Sequence, residues 1–385
     1  MIKTMTAFTF EVDDPDAAAA EILEQIDLKA LRKNSLGILT CFTEFAASGV
    51  VQAVCAALPF DAIGITTAGT AVPGGAAEII LGLLVLTSDN AEFITGAVEI
   101  SGKDMDGHIY SAYKETCAKG PGLPVMMLAF VPFIKDLGGE IIVQSLGKAS
   151  GGIPFFGSLA IDLSPDYSIN RSIYNGKTER NTLVFALLYG DLHPSFFVAS
   201  IPEDKIHKQR GVITKSKDNF LMEVNNMPVL DYLQSIGIRK KNGVLPAAFF
   251  PFVIDYNDGT KPVVRSIYLM TKEGYAACGG AMPENATLSV GGIDYYDVIR
   301  TCGETLEKIQ REKEKGSCLL MFSCLTRYFA LDAYTTAEME TVRDRLTDFP
   351  GYLFSYSGGE ICPVYNWKGY TSNRFHNCTF AACLL

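Results

Sequence analysis

Between Asp14 and Lys33 the apolar residues recur at Ala19, Ile22, Leu23, Ile26 and Ala30, the spacing of one helical face, and Pro15 suits the first turn. The pattern then shortens. Residues 36–41 are an apolar run of strand length, whereas Ala47, Val50, Val51, Val54 and Leu58 return to helical spacing. A second short run covers 62–66 and closes in a glycine turn ending at Pro73. The pattern predicts strand, helix, strand.

The same succession returns near the C-terminus. An apolar strand ends in Ser323-Cys324, Met339, Val342, Leu346 and Phe349 mark a helix face, and residues 352–356 form a second strand. Thr335-x-x-Glu338 has the spacing of a capping box for that helix. Thr40-Cys41-Phe42-Thr43-Glu44-Phe45 lines up with Ser323-Cys324-Leu325-Thr326-Arg327-Tyr328. The turn Ala68-Gly69-Thr70-Ala71-Val72-Pro73 matches Gly358-Gly359-Glu360-Ile361-Cys362-Pro363. A looser third copy runs between them: strand 124–130, a helix near 137–146 and the glycine-rich stretch 151–162.

Asn175-Gly176 and Asp258-Gly259, each between apolar runs, predict hairpins. Residues 201–218 are charged and poor in large apolar side chains, which places a boundary there and gives domains 1–205 and 206–385. Beyond it, Pro228 and Gly237 bracket a short helix, and Val298, Cys302, Leu306 and Ile309 mark a longer one. The fold class expected is α/β (α+β): two related domains of mixed β-sheets flanked by helices, built from duplicated strand–helix–strand units.

Composition narrows the class. Of 385 residues 48% are apolar and 20% charged, enough for buried cores and unlike a disordered chain. The net charge, 33 − 43 = −10, with basic residues scattered, disfavours a nucleic-acid partner or an anionic membrane surface. The N-terminus lacks a signal-peptide core, and apolar runs such as 79–86 are about half the ~20 residues of a spanning helix. Ten cysteines without a C-x-x-C pair suggest reduced thiols in a cytoplasm and no structural zinc. Gly74-Gly75 and Gly151-Gly152 match no phosphate-binding loop. His108 and His193 lie in polar, turn-like text and read as exposed residues rather than haem ligands. No cofactor and no metal are expected.

Three passages carry a family likeness: Phe322 to Arg327 (FSC-x-x-R), GGEICP at Gly358 to Pro363, and HNCTF at His376 to Phe380. They resemble the end of the FIST family (F-box and intracellular signal transduction). AIGITTAGTAVPGG and GGIPFFGSLAIDL are similar to that family's two glycine turns, and residues 210–237 resemble the join into its C-terminal domain. The family's first glycine turn usually carries a Cys and a Glu, where this chain has Ile65 and Thr70. The likeness runs over nearly the whole chain from about Leu36. It implies a sensory protein for small ligands such as amino acids, in the cytoplasm. Members are often joined to kinase, chemotaxis or cyclic-dinucleotide output domains, so this chain would be a stand-alone sensor acting on a separate signalling output protein.

In α/β sheets, ligands lie beyond the carboxyl ends of strands, where loops part and backbone N–H groups are free. Arg327 and Glu360 both fall just after such ends. A guanidinium takes a carboxylate with two hydrogen bonds and a carboxylate takes an ammonium, so the two suit a free amino acid held between the halves. Gly358, Gly359 and Gly69 would let the backbone come close, and Thr67, Cys324 and Asn377 complete the candidate ligand set. Alternatively Arg327 pairs with Glu360 or Glu44 and closes the rim. Cys324 with His376 and Asn377 also has the residue types of a thiol-dependent hydrolase or transferase, although a cysteine in apolar text reads first as packing. A third reading is an interaction scaffold without a small ligand.

Overall fold

Each predicted strand–helix–strand passage folds as a parallel strand pair with a helix packed on one face. The computed structural model describes residues 2–100, 102, 104–134, 137–239 and 250–385. The first unit runs β1 (Lys3–Thr9), α1 (Pro15–Gln25), β2 (Asn34–Cys41), α2 (Thr43–Ala47), α3 (Val50–Ala57), β3 (Ala62–Thr66), β4 (Thr70–Val72), β5 (Gly75–Ala77) and β6 (Leu81–Ser88). The second repeats it as β7 (Glu92–Glu99), α4 (Met105–Cys117), β8 (Met126–Val131), α5 (Gly139–Ser150), β9 (Phe155–Leu159), β10 (Ser172–Tyr174), β11 (Lys177–Glu179) and β12 (Thr182–Tyr189). The looser copy is thus a full member.

The third unit opens with β13 (Ser195–Ala199) and takes an insertion: β14 (Gly211–Lys217), β15 (Phe220–Val224), β16 (Met227–Pro228), α6 (Val229–Ser235), β17 (Phe252–Asp255), β18 (Val263–Arg265), β19 (Ile267–Met270), β20 (Ala276–Cys278) and β21 (Thr287–Val290). It resumes with α7 (Tyr295–Arg311), β22 (Leu319–Cys324), α8 (Leu325–Ala330), α9 (Ala337–Arg345), β23 (Tyr352–Ser357), β24 (Glu360–Tyr365), β25 (Thr371–His376) and β26 (Phe380–Leu384).

The sheets interlock in a cycle. Their orders are β1-β6-β2-β3-β10-β11, β7-β12-β8-β9-β24-β25 and β13-β26-β22-β23-β4-β5. In every unit the hairpin after the parallel pair leaves its own sheet and extends the next one, first to third, third to second and second to first. Each sheet is therefore mixed, with one parallel pair and antiparallel neighbours, as the strand–helix–strand pattern requires.

The inner faces of the three sheets share one core, in which Ile38, Ile65, Phe130, Phe156 and Phe322 are fully buried. Phe322 lies edge-on to Phe130 at 5.8 Å and tilted against Phe156 at 5.5 Å, so this part of the shared core is filled with aromatic side chains. The outer faces pack on the helices, for example Leu39 and Cys41 with Val51 and Val54, and Met321 with Val298 and Met339. No helix of the described residues is long and apolar enough to cross a membrane.

Several local expectations change. The first helix stops at Gln25; Asp27 then caps a separate turn through Lys29 N–H at 3.0 Å, leaving Ala30 outside the helix. Gly49, with φ 92°, breaks the second predicted helix into α2 and α3. Glu338 forms no capping box; it turns into the protein. His108 lies on the exposed side of α4, not in a turn. The repeat register also moves by one residue. Cys41 faces the outer core, and its counterpart is Ser323; Cys324 corresponds to Phe42, each being the residue before a short helix.

Two glycines enforce the parallel pairs. Gly64 lies opposite Leu39 and Gly157 opposite Ala129, and a Cβ at either would sit 1.8 Å from the facing carbonyl oxygen. Because the clash is with backbone, Gly64→Ala is expected to cost more than the ~1–3 kcal/mol of ordinary overpacking. Urea unfolding measures it, and a loss below ~1 kcal/mol would show that the pair can part.

Candidate functional site

The parallel strands of all three units end close together, where three turns meet. Ile161 N–H donates to Thr66 O (3.0 Å), Tyr356 N–H to Gly69 O (3.1 Å), and Gly358 N–H to Leu159 O (2.9 Å). Strand register then shows which residues correspond. Thr70 pairs with Ser355, Glu360 with Ser158, and Ser172 with Ile65, so Glu360, Thr70 and Ser172 occupy one position in the repeat. By the same register Cys324 corresponds to Phe42 and Pro132, and Ser357 to Thr67 and Ala160. The third corner is the one with a carboxyl and a thiol.

Glu360 is fully buried. Its carboxyl accepts Ser357 Oγ–H (2.8 Å) and Thr379 Oγ1–H, and no cation contacts it among the described residues. Burial is the main reason that its acidity weakens, moving it from about 4.5 to about 8; the two hydroxyls and the more distant Arg327 pull the other way. The first corner shows the same contact without charge: Thr67 Oγ1 lies 3.3 Å from Thr70 Oγ1.

Arg327 faces elsewhere. It is fully buried in the helix layer, and Nη2 donates to Glu338 Oε1 at 2.5 Å and to Val298 O at 3.0 Å. Nε donates to Ser323 Oγ and Glu338 Oε1, both at 3.1 Å, and Nη1 to Thr301 Oγ1 at 3.0 Å. Its ion-pair partner is Glu338, neither Glu360 nor Glu44. These contacts join α7, α8 and α9 to β22.

Cys324 is 3% exposed and donates weakly to Thr326 Oγ1 at 3.6 Å. Burial, with Glu360 nearby, pushes its thiol up to about 12, the reverse of an activated nucleophile. His376 stands opposite Glu360 on β25, and its Nε2 meets Cys362 O at 3.0 Å. Burial lowers its basicity to about 3. No hydrogen bond joins Cys324 and His376 among the described residues.

Above this corner lies a half-exposed seam with the insertion. Ser266 Oγ is 2.9 Å from Thr326 Oγ1, and Asn377 N–H donates to Val264 O at 3.3 Å. Asn377 is 4% exposed and its Oδ1 has no partner among the described residues. A Cβ on Gly279 would lie 2.4 Å from that oxygen, and one on Gly359 would lie 3.1 Å from its Nδ2. Gly358 approaches Ala160 O, and Gly359, with φ 140°, lies against the Phe375 ring. Thus Cys324, Glu360, Gly358, Gly359 and Asn377 gather at one corner. Thr67 and Gly69 belong to the first corner, with Gly69 against Met339.

Sequence reasoning missed Ser357 and Thr379 around Glu360 and the partners of Arg327. It also missed Arg265, a fully buried arginine on β18. A lone arginine inside the apolar text PVVRSIYLM was the available signal.

The FIST N domain family model matches residues 35–227 and the FIST C domain model residues 229–363. No curated protein matches. Among solved structures, the crystal structure of cyanuric acid hydrolase from A. caulinodans is similar at 9% identity and a TM-score of 0.36, over 100% of this chain and 98% of that one. With the two family matches spanning most of its length, the chain belongs to the FIST family, whose domains are associated with signal transduction and small-ligand sensing.

Proposed function

We propose that this protein is a cytoplasmic sensor that binds a small amine-bearing ligand, an amino acid in the first instance, at the third corner and signals to a separate output protein. One observation carries the reading: Glu360 is a buried carboxyl without a cationic partner, in the corner that departs from the repeat. Asn377 Oδ1, also buried and unpartnered, adds an acceptor. The Glu360 carboxyl and Asn377 Oδ1 are acceptors that suit a ligand that donates, as an ammonium group does, and a cation there would favour the carboxylate form of Glu360. Thr326 and Ser266 at the seam supply hydroxyls for the ligand's other end. Arg327, with its donors engaged by Glu338, Ser323, Thr301 and Val298, supports the fold around the site. An acidic chain suits neither nucleic acid nor insertion into an anionic membrane.

Thermal shift with single amino acids tests this. At a concentration near 100 Kd a specific ligand adds ~2.7 kcal/mol of stability, a shift of several degrees. The shift should appear in the wild type and vanish in Asn377→Ala and Glu360→Gln. If no amino acid stabilises the wild type, or both variants respond as it does, the reading fails.

A further inference from the structure

The three units differ in two respects, and both fall at one place. β1 joins α1 through residues 10–14 and β7 joins α4 through residues 100–104, whereas β13 reaches α7 through residues 200–294. That long connection stands on a two-stranded stalk: Ile206 bridges Gly291, His207 N–H donates to Val290 O (2.7 Å), and Gly292 N–H to Lys205 O (3.1 Å). It has its own core around Ile213, Leu221, Tyr232, Phe252 and Leu288. It lies over the one corner that carries Glu360 and Cys324, touching it through Val264, Ser266 and Gly279.

Its hold on the three-sheet body, away from the stalk, is mainly polar. Arg265 leaves the insertion and donates from Nη2 to Glu140 Oε2 at the start of α5 (2.7 Å) and from Nη1 to Phe375 O on β25 (2.7 Å). Its remaining bonds, to Tyr256 OH (2.7 Å), Ala281 O (3.3 Å) and Val264 O (3.2 Å), anchor it within the insertion. Thr260 forms an isolated antiparallel bridge with Asn366, and Asp258 pairs with Arg374. Val253 and Val264 are its buried apolar footing on the third unit's core. A module with its own core, a narrow stalk and a polar latch can lift as a body without exposing that core.

We propose that the described residues 206–239 and 250–291 form a hinged lid over the third corner, latched by Arg265 on Glu140, and that lid opening is the step that admits a ligand. That a ligand enters rests on the function proposed above; the motion itself does not. Closure explains how Cys324 and Asn377 are nearly shielded although half-exposed residues lie beside them, and lid position gives an output partner a surface that changes with ligand.

The test labels Cys324 with iodoacetamide and reads it by mass spectrometry against Cys383, a buried core thiol that reports global unfolding. In the wild type, Cys324 should label well before Cys383. Thr260→Cys with Asn366→Cys places two thiols on an antiparallel bridge, where Cα separations of ~4.5–5.5 Å suit a disulfide. Oxidised with glutathione disulfide, this variant should label Cys324 about tenfold slower than when reduced. Glu140→Gln, which loosens the latch, should speed labelling about tenfold.

Equal rates in the oxidised and reduced forms, or Cys324 and Cys383 labelling together in the wild type, would overturn the lid. If Glu140→Gln does not fold, the disulfide variant alone decides. A labelling rate that responds to the cross-link, in a protein that no amino acid stabilises, upholds the lid and rejects the ligand. An amino acid that binds the oxidised and reduced forms at the same rate does the opposite.

Discussion

Arg327→Met should cost about 3–5 kcal/mol of folding stability, the range for removing one partner of a buried ion pair. The guanidinium lies entirely inside the protein and serves Glu338, Ser323, Thr301 and Val298. Without it Glu338 is left as a buried charge whose remaining hydrogen bond comes from Ser323 Oγ at 2.7 Å. Replacing both members, Arg327→Met with Glu338→Leu, should recover much of the loss, because paired apolar substitutes avoid the orphaned charge. Urea unfolding of the three proteins gives the comparison. A loss under ~1 kcal/mol in the single variant would mean that solvent reaches Glu338 and that the clamp is weak. A ligand arm would behave differently, since its removal abolishes binding while sparing the fold.

Raising the pH from 5 to 8.5 should destabilise the wild type relative to Glu360→Gln. Burial lifts the Glu360 carboxyl from about 4.5 to about 8. Between those values the folded chain holds a proton that the unfolded chain has released, so stability falls as pH rises and the penalty is complete only above the folded value. At ~1.4 kcal/mol per pH unit the full span is on the order of 3–5 kcal/mol. Gln keeps the shape and does not titrate, so it should be level with the wild type near pH 5 and ahead of it at pH 8.5. The neighbouring groups do not confuse the comparison. Burial pushes the thiols of Cys324, Cys362 and Cys378 upward and Arg327 stays charged. His376, lowered to about 3 by burial, takes up its proton only in the unfolded chain within this window, equally in both proteins, so the difference between them isolates Glu360. Unfolding curves that run parallel across the range would show that Glu360 is ionised in the folded protein. An amine ligand bound beside it would narrow the gap, because a cation favours the carboxylate.

The repeat was legible because the physics behind it is local. Strand, helix and strand follow from the spacing of apolar residues, which any unit must satisfy to bury one face, and Gly69 and Gly359 mark turns by their backbone freedom. Asn175-Gly176 gave its hairpin for the same reason: both residues take positive φ, 50° and 84°. Thr335-x-x-Glu338 misled, since a carboxylate three residues after a threonine looks alike whether it caps a helix or meets an arginine brought in from another element.

From its sequence alone the protein has its α/β class, its strand–helix–strand units, its family likeness and the gathering of Cys324, Glu360 and Asn377 near strand ends. Tertiary structure decided that the looser third copy is a full unit and that the three exchange hairpins in a cycle, because strand partners are chosen across sheets and leave no mark at short range. It also decided the opposite fates of two charged residues that both follow strand ends in the sequence. Arg327, on the short helix α8 just after β22, lies in a helix layer that supplies an anion, whereas Glu360, on β24, points inward where only hydroxyls wait. The alternation of faces along β24 fixes the direction of Glu360, which a shift of one residue in register would reverse, whereas Arg327 is placed by how α7, α8 and α9 pack, a long-range matter.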